Sequence, residues 1–501
     1  MIENNSSQYS QDKTPSLARK IVHGGMWMFL LRIIEKLLGL IRLIVVARLL
    51  SPKDFGLLGV AALITAILNI FFESGFNQAL IYKKEKIKKF LNTAWTVQVL
   101  RGLFIFAIIY LIAPFAATFF NEPKSLNIIR VFAFTQVIDG FKNIGLIYFQ
   151  KEIEFKKQFL CSIIPEIIAL IATIWTAYIL HNVWALVIGA IVCSVFILIF
   201  SYLMQPYRPK FEFDFNKFKS LMSFGKWVIG YGILGFLILQ GDDILVGKVL
   251  GAAALGLYQM AYRISNLPAT QITHVIIQVT FPAYAKLQDD IPRLREAYLR
   301  VLKIIAFVSF PLAGLIFIFC PIFTNIFFGE KWMAMVPAMQ VLSAFGLIRS
   351  LTATTGPIFI GLGKPKIMTY LSSIQLIIMV IIIYPLTKKW GILGTAIATL
   401  IPNLVTPVLA SAELLKIIKC SLKNFLLPII VPLISGLVML CFSYFLLRIG
   451  GQTNLFLFTA DILLAIGCYL LSVYYIGKIF KYNMQELFSQ ITQQFRNSDA
   501  S

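Results

Sequence analysis

Charged residues are scarce in this chain. Asp, Glu, Lys and Arg make up 14% of its 501 residues, where a soluble domain carries about 25%. Apolar residues reach 58%. So large an excess in so long a chain cannot be hidden in a water-soluble core, which excludes a soluble enzyme, a nucleic-acid-binding domain and a disordered chain. Histidine is nearly missing, with only His23, His181 and His274, and the six cysteines form no Cys-x-x-Cys pair. Neither a metal site nor a disulfide framework follows. A nucleotide-binding loop is missing as well, because Gly361-Leu362-Gly363-Lys364 has neither the spacing nor the hydroxyl that phosphate cradling needs. Any work the chain does must draw on an ion gradient, the membrane potential or a substrate gradient.

What is present is lipid-compatible sequence. Apolar stretches of spanning length recur at 23–46, 55–80, 92–117, 126–148, 159–180, 183–204, 222–247, 254–281, 298–327, 336–360, 367–386, 390–412, 425–447 and 455–477. These fourteen expected helices make an all-α integral membrane protein. The first run follows Arg19-Lys20, carries charges and lacks a small-residue cleavage site, so it reads as a retained span. Loops are short, which leaves no room for the catalytic lobe of a membrane polymerase or glycosyltransferase. Of the 45 basic residues, 27 fall in loops on the side of the N-terminus and 8 in loops on the other side. Both termini are therefore expected in the cytoplasm, and the +22 net charge is assigned to cytoplasmic loops and anionic lipid rather than to nucleic acid.

The chain also repeats itself. Shifted by 200 residues, Gly25 meets Gly225, Trp27 meets Trp227, Val46 meets Val246, and Gly56-Leu57 meets Gly256-Leu257. Farther on the offset drifts by six to eight, so that Pro114 meets Pro321, Glu122 meets Glu330 and Trp184 meets Trp390. The expected organisation is a cytoplasmic tail (1–22), a six-helix bundle (23–204), a cytoplasmic linker (205–221), a second six-helix bundle (222–412), two added helices (413–477) and a cytoplasmic tail (478–501). Six spans per half make the repeat parallel, a pattern of transporters whose substrate site lies between repeats.

Intramembrane charge marks where such a site belongs, since a charge in lipid is costly unless it faces protein or water. On a helical wheel Arg32, Glu35, Lys36, Gly39 and Arg42 share an arc of about 120°. The expected lumen cations are Arg32, Lys36, Arg42, Arg101, Lys142, Arg263 and Arg349. The expected coupling or gating acids are Glu35, Asp139, Glu166, Asp242 and Asp243. The repeat sets Arg42 and Asp242 at equivalent positions with opposite charge, which makes them a candidate gate pair.

The run Ala47–Ala61 (ARLLSPKDFGLLGVA), with FFESGFNQALIYKKE at 71–85, resembles the first spans of bacterial polysaccharide flippases. FPAYAKLQDDIPRLREAY at 281–298 and FGEKWMAMVPAMQVLSAFGLIRS at 328–350 resemble the lipopolysaccharide and colanic-acid exporter branch of the multidrug/oligosaccharidyl-lipid/polysaccharide exporter superfamily. The resemblance covers about residues 20–420. It implies two six-helix bundles around a cationic cavity and movement of undecaprenyl-pyrophosphate-linked oligosaccharide across the bacterial inner membrane. It also implies no cofactor beyond proton or sodium coupling. Membrane lipids and the polysaccharide polymerase and chain-length machinery would be the partners. A drug or small-solute exporter on the same fold is the alternative, with a membrane polymerase or glycosyltransferase a more remote one; a cation exporter would be expected to show more acidic than basic lumen charge.

Overall fold

A computed structural model of the protein describes residues 17–72, 87–151, 154–267, 280, 284, 286–450, 454–480 and 482. The side chains of Arg32 and of residues 216–234 lie outside the described set. No strand occurs among the described residues, and ten of their helices are long and apolar enough to cross a membrane. The chain is a multi-pass, all-α membrane protein.

The first helices are α1 (Leu17–Leu49), α2 (Pro52–Phe71) and α3 (Lys88–Phe119). The expected span 126–148 is not one helix. It breaks into α4 (Ser125–Phe132), α5 (Phe134–Gly140), a 3₁₀ turn at Ile144–Leu146 and α6 (Ile147–Lys151). Then come α7 (Phe155–Leu180) and α8 (Trp184–Met204), whose 21 residues contain no charge. At 1.5 Å per residue α8 is about 31 Å long, enough for the hydrocarbon core.

α9 (Phe215–Ser265) breaks at Gly251, whose φ of 83° a residue with a side chain rarely adopts. The expected span boundary at 248–253 falls on that glycine. α10 (Ile291–Phe327) starts seven residues before its expected span, because Asp290 accepts the Arg293 N–H at 3.1 Å and caps it. The expected span 336–360 also divides, into α11 (Val336–Thr352) and α12 (Thr355–Gly361). α13 (Pro365–Ile417) breaks at Gly391 (φ 59°), and α14 (Leu422–Gly450) and α15 (Leu455–Ile479) follow. Hydroxyls inside the helices are tolerated because they bond backward to a carbonyl one turn earlier, as Thr65 does to Ala61 at 2.8 Å and Thr173 to Ala169 at 2.6 Å.

Packing groups the residues into two units. The first comprises Met1–Leu49, Leu68–Ala113 and Asn127–Tyr231. The second comprises Leu50–Ile67, Pro114–Leu126 and Gly232–Ser501. Within the second, the sequence repeat appears as a reciprocal contact. A Cβ at Gly56 would land on the carbonyl oxygen of Ala252, and a Cβ at Gly256 on that of Pro52. Positions 52 and 252 are themselves repeat equivalents, so each partner meets its counterpart's neighbour, as in an isologous interface. At the same end Lys53 pairs with Glu122 at 3.2 Å, and Lys248 donates to the Phe119 carbonyl at 2.7 Å. Another part of the second unit is an apolar cluster in which Ile358 and Phe359 of α12 pack with Leu294, Tyr298 and Leu414.

Candidate functional site

The site in the first unit begins with a close approach of backbones. Gly102 of α3 meets α5 so tightly that a Cβ there would sit 2.5 Å from the Gln136 carbonyl oxygen. Gly140 gives way reciprocally, its absent Cβ 3.4 Å from the Gly102 Cα. One turn away on α3, the Gln98 amide donates to the carbonyls of Asp139 (3.3 Å), Gly140 (3.0 Å) and Lys142 (3.2 Å), at and just beyond the end of α5. Asn143 then bridges the break. Its Oδ1 accepts the Gly145 N–H at 2.9 Å, its Nδ2 donates to the Tyr207 carbonyl at 2.7 Å, and its own N–H donates to Ser201 Oγ at 3.1 Å. Gln205 donates to the Gly145 carbonyl at 2.8 Å. Non-helical backbone at membrane depth survives only where it is satisfied in this way or lines a cavity.

The linker after α8 is fixed to the same helix. Tyr207 Oη donates to Asn92 Oδ1 at 2.5 Å, and the Lys210 N–H donates to the same oxygen at 3.1 Å. Burial pushes the Tyr207 hydroxyl above the usual tyrosine range, with Tyr148 and Glu212 adding to the shift, so it remains a donor.

Beside the break lies a cavity of about 470 Å³, formed by α3, α5, the 3₁₀ turn and α7. That volume falls in the range of about 300–1,000 Å³ typical of ligand sites. Three of the expected site residues line it together: Arg101, Asp139 and Lys142. Arg101 Nη2 donates to Asn69 Oδ1 at 3.0 Å and to the Asn69 carbonyl at 3.2 Å, and Lys142 Nζ lies 2.7 Å from Asp139 Oδ1. Gln136, Gln158 and Ser162 add neutral polar groups to the wall. Gln158, Ser162 and Glu166 recur every fourth residue on α7, so they form one polar stripe on that helix. Glu166 pairs with Arg42 of α1 at 3.1 Å and accepts from Cys193 Sγ at 3.5 Å.

The second unit holds the adjacent acids Asp242 and Asp243, 3% and 9% exposed. Tyr258 Oη donates to Asp242 Oδ2 at 2.7 Å, and the Gln259 amide to Asp243 Oδ2 at 2.9 Å. Among the described residues, neither carboxylate has a Lys or Arg partner within 4.0 Å. Arg349 donates to Tyr262 Oη at 3.2 Å, whereas Arg263 is exposed. On α1, Lys36 is exposed, Glu35 is half-buried, and the Arg32 side chain lies outside the described residues. Each member of the candidate gate pair thus has a partner in its own unit, Glu166 for Arg42 and Tyr258 for Asp242.

The cavity can hold an anion beside Arg101 and Lys142 and hydrogen-bond a neutral polar group beside the amides. Counting only charges overlooked Asn69, Gln98, Gln136, Gln158 and Ser162. Their signal is in the sequence as carboxamides inside apolar runs and, on α7, as an amide and a hydroxyl four residues apart.

Residues 45–337 match the family described as polysaccharide biosynthesis protein. The chain belongs to that family. It is similar to the lipopolysaccharide biosynthesis protein WzxC of Escherichia coli (strain K12), with 25% identity over 86% of this chain and 88% of that protein. Similarity to the teichuronic acid biosynthesis protein TuaB of Bacillus subtilis (strain 168) is also 25%, over 91% of this chain and 95% of that one. Among solved structures, the fold matches the lipid II flippase MurJ in an inward closed conformation. The TM-score is 0.71 at 19% identity, over 91% of this chain and 99% of that one. An inward-facing multidrug resistance MATE family transporter matches with a TM-score of 0.57 at 17% identity, over 77% of this chain and 96% of that one.

Proposed function

We propose that this protein is a flippase that moves undecaprenyl-pyrophosphate-linked oligosaccharide across the bacterial inner membrane for surface polysaccharide synthesis. The observation that carries this reading is the cavity at the interrupted fourth span, where Arg101 and Lys142 stand beside neutral amides in a member of the polysaccharide biosynthesis family. Guanidinium and ammonium groups suit a lipid pyrophosphate, and carboxamides suit sugar hydroxyls. The WzxC, TuaB and MurJ similarities support the same reading. So does the absence of a nucleotide-binding loop from the sequence, which fits a transporter driven by a gradient rather than an enzyme.

In this reading the chain has fourteen spans and alternates its access from side to side. The 27-to-8 bias of basic residues supports cytoplasmic termini. Asp242 and Asp243, unpaired by any described cation, are the position for coupling to protons or sodium. Arg32 and Arg349 serve the substrate with Arg101. Polymerase and chain-length proteins would act on the exported repeat units. The test is a deletion strain analysed by mass spectrometry for undecaprenyl-linked repeat units. These should accumulate while surface polysaccharide disappears; a deletion strain with normal polysaccharide and no accumulated intermediate contradicts the assignment. Orientation is checked separately: a cysteine replacing the exposed Lys124 should react with an impermeant thiol reagent in spheroplasts, and one replacing Lys86, which lies outside the described residues, should not.

A further inference from the structure

The cations of the cavity are at least partly occupied by protein groups: Lys142 by the Asp139 carboxylate and Arg101 by Asn69. The neutral groups of the lining are committed to different degrees. Gln98 spends its amide on three backbone carbonyls. Gln158 does not: its Oε1 is buried and accepts no hydrogen bond from the described residues. A buried carbonyl oxygen left without a donor costs about 1–3 kcal/mol, so the Gln158 amide gains by turning toward any donor that enters the cavity. Ser162 stands one turn along α7 from Gln158 and faces the same cavity. Gln136, from α5, contributes a third side chain, with its amide only 3.4 Å from Thr135 Oγ1. The wall therefore offers acceptors and donors together, without net charge, next to two cations.

We propose that Gln136, Gln158 and Ser162 form a saccharide subsite that holds the first sugar of the lipid-linked substrate, while Arg101 and Lys142 face its phosphate. This rests on the flippase reading and sharpens it, since it assigns the sugar to side chains distinct from the cations. Sugar hydroxyl and acetamido groups both give and take hydrogen bonds, which matches amide and hydroxyl side chains. An inorganic cation would need more acid than Asp139 supplies, and an apolar drug would leave the amides unsatisfied. The subsite selects by the penalty of leaving those groups unpaired when the sugar is missing.

The experiment uses the full chain in lipid nanodiscs and two probes, undecaprenyl pyrophosphate and undecaprenyl-pyrophosphoryl-N-acetylglucosamine. The wild type should bind the sugar-bearing lipid about tenfold or more tightly than the bare one. The double variant Gln136→Leu/Gln158→Leu should bind both alike, at the wild-type affinity for the bare lipid, which also reports that it is folded. Ser162→Ala, a milder change, should narrow the ratio about threefold. Arg101→Ala should weaken both lipids together. Equal binding of the two lipids by the wild type overturns the subsite and leaves the flippase reading standing. So does a double variant that keeps the wild-type ratio, or one that loses both lipids equally. Binding of neither lipid by the wild type overturns the flippase reading, and the subsite with it.

Discussion

The fourth span and its repeat counterpart are both interrupted, yet the two interruptions have opposite surroundings. The first, between Gly140 and Ile147, borders the polar cavity and is bridged by Asn143, Gln98 and Gln205. The second, between Thr352 and Thr355, leads into α12, whose Ile358 and Phe359 are fully buried in an apolar cluster. Equivalent charges have diverged in step: Lys142 pairs with Asp139, while Arg349, its counterpart at an offset of 207, bonds a tyrosine hydroxyl. Both spans are interrupted, but not at equivalent residues: Lys142 lies within the first break, whereas Arg349 lies inside α11. Side chains then made one a polar wall and the other a packing joint.

The sharpest contrast comes from substitutions at each break. Phe359→Ala should cost the most stability, about 3–5 kcal/mol, because it empties a fully buried site. Thermal unfolding in detergent should show the loss, and export should fall only as far as folded protein falls. Gly102→Ala comes next, at about 1–3 kcal/mol, since the Gln136 carbonyl cannot move away without shifting α5. Here export per folded molecule should drop as well, because α5 carries the cavity wall. If the Phe359 variant instead loses specific export and the Gly102 variant does not, the roles of the two breaks are reversed.

Asn143→Ala should cost about 1–3 kcal/mol in stability, as it orphans the Gly145 N–H and leaves the Tyr207 carbonyl to Arg208 alone. Arg101→Lys should keep part of the transport that Arg101→Ala loses, both at wild-type expression, because lysine keeps the charge without the planar fork. Lys157→Ala sets the lower bound. Its pair with Glu154 is roughly half exposed on both sides, so a change within about 0.5 kcal/mol is expected.

Much of the fold was legible in the sequence, for a simple reason. Lipid admits only helices and closed barrels, and long continuous apolar runs mark the helices, as the uncharged α8 does. The interhelical turns at Gly251 and Gly391 were readable because a glycine and flanking lysines interrupt the apolar run. The breaks at 141–146 and 353–354 were missed, because short polar residues such as Asn143 and Thr354 hardly dent a hydropathy window. Of the expected site, Arg101, Asp139 and Lys142 come together, but the wheel of α1 gave no hint that Arg42 pairs with Glu166 on α7. A helical wheel shows which face is polar, not which other helix meets it. The amides escaped notice because they carry no charge, although an amide in lipid also needs a partner.

The most direct measurement is transport by the purified protein in proteoliposomes loaded with undecaprenyl-pyrophosphoryl-N-acetylglucosamine, read by an impermeant lectin that reaches only one leaflet. With a proton or sodium gradient imposed, the wild type should move the saccharide between leaflets, and Arg101→Ala, inserted to the same level, should not. Failure of the wild type under every gradient, or equal transport by Arg101→Ala, would contradict the account.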